Sequence, residues 1–149
     1  MSAIARIKQL TPNADLAFLP LDQADLESVR AAAELASKEA RVDALVTSAG
    51  VMMTPLMRTR QGFELQLGVN HLGCFALTSL LLPKLAETKG SRVVITASLA
   101  HQSAKGIDWS DLGAEKSCDR FQRYTASKLG NGLGLAPLAR EGARFRIAG

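Results

Sequence analysis

Three short apolar runs, at residues 16–21, 43–47 and 92–97, alternate with longer stretches whose apolar residues recur at helical spacing. No other feature restricts the fold so strongly, because strands separated by helices build a parallel sheet with helices on its faces. Run 43–47 is apolar in its centre, as parallel strands buried on both faces are. The first helix is expected over residues 3–10, with Ile4, Ile7 and Leu10 on one face, stopped by Thr11-Pro12-Asn13. Asp25 reads as the N-cap of a second over residues 26–40, whose packing face is Val29, Ala32, Ala33 and Leu35. A long helix over residues 63–85 places Leu65, Val69, Leu72, Ala76 and Leu80 together and frays at Pro83. Lys89-Gly90-Ser91 turns the chain into the third strand, residues 100–118 form a loop, and a last helix begins near Arg120. That helix is expected to stop or kink before Pro137. Gly130, Gly132 and Gly134 at about 1 kcal/mol each, with about 3 for an interior proline, weigh roughly 6 kcal/mol against it. Residues 144–149 read as an incipient strand. There is no repeat or linker, so residues 1–149 form one α/β domain.

Composition narrows the functions. A 47% hydrophobic and 21% charged chain is ordinary for a globular domain. The net charge of +4 is spread among 14 acidic residues, and the basic tail (Arg140, Arg144, Arg146) has no interleaved aromatics. Nucleic acid is therefore not an expected partner. Cys74 and Cys118 lack metal-ligand spacing and frame no disulfide, and Cys74 reads as a buried thiol. His71 and His101 have no ligand companions and read as structural or solvent-facing, so no metal site is expected. The N-terminus is too short and charged for a signal peptide, and the apolar run 72–82 is shorter than the roughly 20 residues that span a bilayer. A cytoplasmic chain without a membrane span is the expectation.

Chemistry concentrates between Ser98 and Lys128. Tyr124 and Lys128 stand four residues apart, one turn above the other on a helix face. An ammonium beside a phenol favours the phenolate, which makes a tyrosine a proton donor and acceptor near neutral pH. Ser98 follows the third apolar run, so its hydroxyl emerges at a strand's C-terminal end, where open α/β sheets bind ligands. Asn70 lies in G-V-N-H-L-G, Ala49-Gly50 in L-V-T-S-A-G-V-M and Asp22 in F-L-P-L-D-Q-A-D-L. In that order and at those intervals the set resembles the short-chain dehydrogenase/reductase family. F-E-L-Q-L-G-V-N-H-L-G and S-L-A-H are most similar to its retinol-dehydrogenase-like branch. The resemblance covers about residues 3–140.

It implies a partial Rossmann-like, doubly wound parallel sheet lacking the first two strands and the C-terminal strands. The family's glycine-rich phosphate turn, G-x-x-x-G-x-G or G-x-G-x-x-G, occurs nowhere in this sequence. Run 16–21 is then left without its neighbours. It must pair with the second strand, lie against a helix, or borrow a partner, so a homo-oligomer or a partner chain completing the sheet is expected. By resemblance Tyr124 is the general acid or base, Lys128 assists it and bonds the cofactor ribose, Ser98 orients the substrate carbonyl, and Asn70 holds a relay water. Asp22 and Gln23 would contact adenine, and Ser48, Ala49 and Gly50 would lie against the cofactor. Ser48 stands where the family has an asparagine, so that residue's cross-strand bonds are not expected. The implied activity is an NAD(P)-dependent oxidoreductase acting on a small-molecule carbonyl or alcohol, with NADP (or NAD) bound weakly. The alternative is a non-catalytic member of the family, an interaction module or a non-functional chain, because the phosphate turn is absent.

Overall fold

The computed structural model describes the backbone of residues 2–140 and 145–148 and the side chains of residues 2–134. Strands β1 (Ala44–Thr47), β2 (Arg92–Thr96) and β3 (Phe145–Ala148) form one parallel sheet in the order β1-β2-β3. Ala44 pairs with Arg92, and Val93 with Phe145. Around the sheet run α1 (Ala3–Leu10), α2 (Leu26–Ala36), α3 (Leu65–Leu67), a π-helical stretch (Gly68–Gly73), α4 (Cys74–Ala86) and α5 (Arg120–Arg140). A short 3-10 helix, Leu99–Ser103, follows β2.

Alternation along the strands sorts the sheet's two faces. Val93 and Ile95 point into a core of Val29, Ala33, Cys74, Leu77, Leu81 and Leu85, which joins α2 and α4 to β2. On β1, Thr47 is buried, whereas the intervening Val46 is 63% exposed. Helix α5 packs against α3, the π-helical stretch and the 3-10 turn, which brings it to the C-terminal ends of the strands.

Several expectations need correction. Residues 16–21 form no strand. Their backbone makes no ladder bonds and Phe18 is 79% exposed, because a strand exists only where a neighbour completes its hydrogen bonds. Helix α2 ends at Ala36, four residues early, where the Ser37 hydroxyl and amide both bond the Ala33 carbonyl. Leu35 is half-exposed rather than packed. The long helix turns a different face inward along its whole length: Leu67, Cys74, Leu77 and Leu81 are buried, Leu65, Val69, Leu72 and Ala76 only partly so, and Leu80 is 44% exposed. Polar and small residues (Gln66, Asn70, Gly73 and Thr78) form part of the buried side, so apolar spacing alone picks out the neighbouring one. Helix α5 also continues past Pro137 to Arg140. Tertiary packing overrides propensity there, since Gly130 and Gly134 lie against His71 and Phe75, where a side chain would not fit. Within the expected final strand, residues 145–148 pair with β2, while residues 144 and 149 lie outside the described residues.

The unbroken helical run Leu65–Ala86 has 22 residues and a mean hydropathy of 1.4, long and apolar enough to cross a membrane by length and composition. More than half of it is buried inside this domain, and it carries buried Asn70 and Thr78.

Candidate active site

Helix α5 carries a polar stripe, Tyr124, Ser127, Lys128 and Asn131, at spacings of three, four and seven that bring all four to one face. A residue pair elsewhere holds that stripe in place. The Asn70 amide donates to the Val51 carbonyl at 2.9 Å and to Ser127 Oγ at 3.0 Å, while its Oδ1 accepts from the Val51 N–H at 2.8 Å. Ser127 in turn donates to the Tyr124 carbonyl at 2.7 Å. Asn70 is 1% exposed, so these bonds satisfy a side chain that water cannot reach. It therefore braces the loop after β1 against α5.

Lys128 is buried, and its ammonium donates to the carbonyl of Thr96, the last residue of β2, at 3.2 Å. The same nitrogen stands 5.9 Å from the centre of the Tyr124 ring. Gly50 completes this corner. A Cβ there would lie 3.0 Å from Asn70 Oδ1 and 3.5 Å from Lys128 Nζ, so glycine keeps this corner clear of the braced amide. Ser98 Oγ accepts from the Ala100 N–H at 3.2 Å and caps the 3-10 turn, which leaves its own proton free to donate. The Ser98 carbonyl is held by His101 Nδ1 at 2.6 Å.

Between these groups opens a cleft of about 470 Å³, within the size range of small-molecule sites. Ser48, Gly50, Ser98, Tyr124 and Lys128 line it, together with Val51, Met52 and Leu99. Ala49 lies between two lining residues, and Asn70 stands behind the floor. Ser48 makes no side-chain hydrogen bond among the described residues, so Asn70 and Lys128 hold the floor in its place. Asp22 and Gln23 do not line the cleft. Asp22 Oδ1 accepts from the Ala24 N–H at 2.8 Å in a turn before α2, and the Gln23 carbonyl presses on Gly73.

Sequence reasoning passed over Asn131 and Ser127. The signal for both was the helical spacing from Tyr124, which makes them stripe-mates of Lys128. Asn131 donates to the same Thr96 carbonyl at 3.2 Å. Burial pushes the His71 imidazole below its usual range, a contact with Asn131 partly opposing it. Burial likewise pushes the Cys74 thiol up, with a hydroxyl contact from Thr47 acting the other way.

The donor set suits the nicotinamide-ribose end of a dinucleotide: an ammonium, a phenol, a hydroxyl and a backbone corner kept clear by glycine. For the pyrophosphate end this sequence holds no glycine-rich turn.

Comparison with known proteins identifies relatives of this chain. A family model described as enoyl-(acyl carrier protein) reductase matches residues 2–133. Human retinol dehydrogenase 12 is 43% identical over 140 residues, which cover 93% of this chain and 44% of that relative. A solved structure of an uncharacterised protein from Mycobacterium paratuberculosis is 39% identical with a TM-score of 0.69, covering 85% of this chain and 46% of the other. An alcohol dehydrogenase from the archaeon Thermococcus sibiricus, solved with 5-hydroxy-NADP, shares the fold at 18% identity and a TM-score of 0.69, over 97% of this chain and 60% of that one. The chain thus spans less than half the length of the curated relative it matches. With its parallel sheet, its tyrosine-lysine helix and a family match over residues 2–133, the chain belongs to the short-chain dehydrogenase/reductase family.

Proposed function

We propose that this chain carries the carbonyl-facing half of an NAD(P)-dependent oxidoreductase. The observation behind the reading is that Ser98, Tyr124 and Lys128 line one cleft beside Gly50. A bound nicotinamide would supply the hydride acceptor or donor. Ser98 would donate its free proton to the oxygen of a small carbonyl or alcohol substrate and orient it. Tyr124 would give that oxygen a proton in reduction and take it in oxidation. Lys128 would hold positive charge beside the phenol and meet the ribose hydroxyls. Asn70 would keep the loop after β1 and helix α5 in register, and would hold the relay water that the resemblance implies. NADP is the favoured cofactor, in keeping with the archaeal relative's bound nucleotide. The names of the retinol dehydrogenases point to an apolar alcohol or aldehyde. A cytoplasmic location and the absence of a membrane span among the described residues belong to the same reading. They are supported by two free cysteines and by the buried half of Leu65–Ala86.

The sequence favours a second reading, a non-catalytic member of the family, on one observation: it holds no glycine-rich turn for the pyrophosphate. Several charge-assisted hydrogen bonds of about 1.5–3 kcal/mol each depend on such a turn. Titrating NADPH into the 149-residue chain, followed by nucleotide fluorescence, separates the two. Micromolar binding carries the oxidoreductase reading, and no binding at millimolar nucleotide carries the other. Where turnover of an aldehyde is measurable, Tyr124→Phe should lower it by about 10²–10⁴-fold, the usual worth of a general acid, with nucleotide affinity unchanged.

A further inference from the structure

Two donors converge on one carbonyl at the end of β2. Lys128 Nζ and Asn131 Nδ2 each lie 3.2 Å from the Thr96 oxygen. Asn131 is 4% exposed, so water does not compete for its amide. Its other end, Oδ1, faces His71 Nδ1 at 3.4 Å. Hydrogen-bond chemistry makes this chain of contacts run one way. The Thr96 carbonyl only accepts, so the asparagine must turn its NH2 toward it and its oxygen toward the imidazole. The imidazole must then carry its proton on Nδ1. His71 is itself fixed, since its ring fills the space beside Gly130, where a Cβ would lie 2.7 Å from the ring.

The neighbouring residue of the π-helical stretch does the matching work from the other side. Asn70 holds Ser127, and His71 holds Asn131, so consecutive residues of one helix grip α5 on either side of Lys128. We infer that Asn131, oriented by His71, is a positioning residue for Lys128: it shares the Thr96 carbonyl and thereby holds the ammonium beside Tyr124 and Gly50. The inference rests on the oxidoreductase reading for its purpose, and on these contacts alone for its geometry. Thr96 is the only acceptor Lys128 has among the described residues. A change in how that carbonyl is held therefore passes directly to the ammonium.

The test needs neither cofactor nor substrate, so its failure is distinct from failure of the nucleotide titration. Nitrogen-15 NMR of the unaltered chain reads the imidazole tautomer, and the expected result is a neutral His71 protonated at Nδ1. Protonation at Nε2 instead would overturn the proposal without any variant having to fold. Amine labelling with acetic anhydride, read by mass spectrometry at each lysine, then compares the chain with Asn131→Leu. Labelling of Lys128 should rise by up to about tenfold, the fold-change expected if the untethered Thr96 carbonyl moves and Lys128 loses its own bond to it, while Lys84 and Lys116 stay level. Unchanged Lys128 labelling in a folded variant would overturn the proposal. So would a uniform rise at all lysines, which would mark Asn131 as a general packing residue.

Discussion

The two ends of this chain use similar apolar composition to opposite effect. Around α4, β2 and α5, apolar residues such as Leu81 and Leu85 are 3% and 2% exposed, and polar Asn70, Thr125 and Ser127 are buried with their bonds made. Across residues 3–21, α1 buries no residue at all, Leu10 is 87% exposed, and Phe18 is 79% exposed. Both ends have local signals for regular structure. Ser2 caps α1 and Asp25 caps α2 in the same manner, each side chain accepting from a backbone N–H. The difference lies in partners. A cap and an amphipathic spacing form a helix, but burial requires a second surface at van der Waals distance. The cleft sits where three such surfaces meet, which is why its ammonium and amides are held rather than solvated.

The contrast can be broken most directly in the core. Leu81→Ala should lower unfolding stability by about 3 kcal/mol in urea titration, because the neighbouring side chains cannot close over the void. A loss below about 1 kcal/mol would mean that α4 is as loosely packed as α1. Next in size are two glycines of α5 that look alike in sequence. Gly130→Ala should destabilise by about 2 kcal/mol as its methyl meets the His71 ring. Gly132→Ala, with nothing within 4 Å, should stabilise by about 0.5–1 kcal/mol through helix propensity alone. Equal effects at the two positions would remove the close approach of α5 to the π-helical stretch.

Acid sharpens the comparison in the loop before α5. Asp111 is buried, which alone would raise its carboxyl pKa. Bonds from the Glu115 and Lys116 N–H groups and the Arg123 guanidinium at 2.6 Å outweigh that and hold it below the usual carboxylate range. Its folded value lies below its unfolded one, so its contribution is complete above the unfolded value of about 3.9 and disappears as pH falls through the folded value. Asp111→Asn should flatten the stability curve at low pH and leave its shape unchanged above about pH 5. The smallest effect belongs to the other end: Leu10→Ala should change stability by less than about 0.5 kcal/mol. A larger loss would reveal a packing partner for α1.

Much of the site was legible from spacing. The i, i+4 relation of Tyr124 and Lys128 needs only helical geometry, and Ser98 needs only its place after an apolar strand. Asn70 was legible as a residue out of place in a helix, but its bonds were not, because Val51 and Ser127 lie 19 and 57 residues away. Asn131 escaped notice for the same reason, its meaning residing in a carbonyl 35 residues distant.

By itself the sequence determined the alternation of strands and helices, the Tyr124–Lys128 spacing on α5 and the family to which the chain belongs. Each of these follows from rules acting over one or two turns of backbone. Tertiary structure alone decided that residues 16–21 form no strand, that the long helix buries the side carrying Gln66, Asn70 and Thr78 rather than its most apolar one, and that α5 continues through its glycines. Each of those outcomes depends on whether a surface remote in sequence arrives to complete a hydrogen bond or fill a space, and periodicity along the chain carries no record of that.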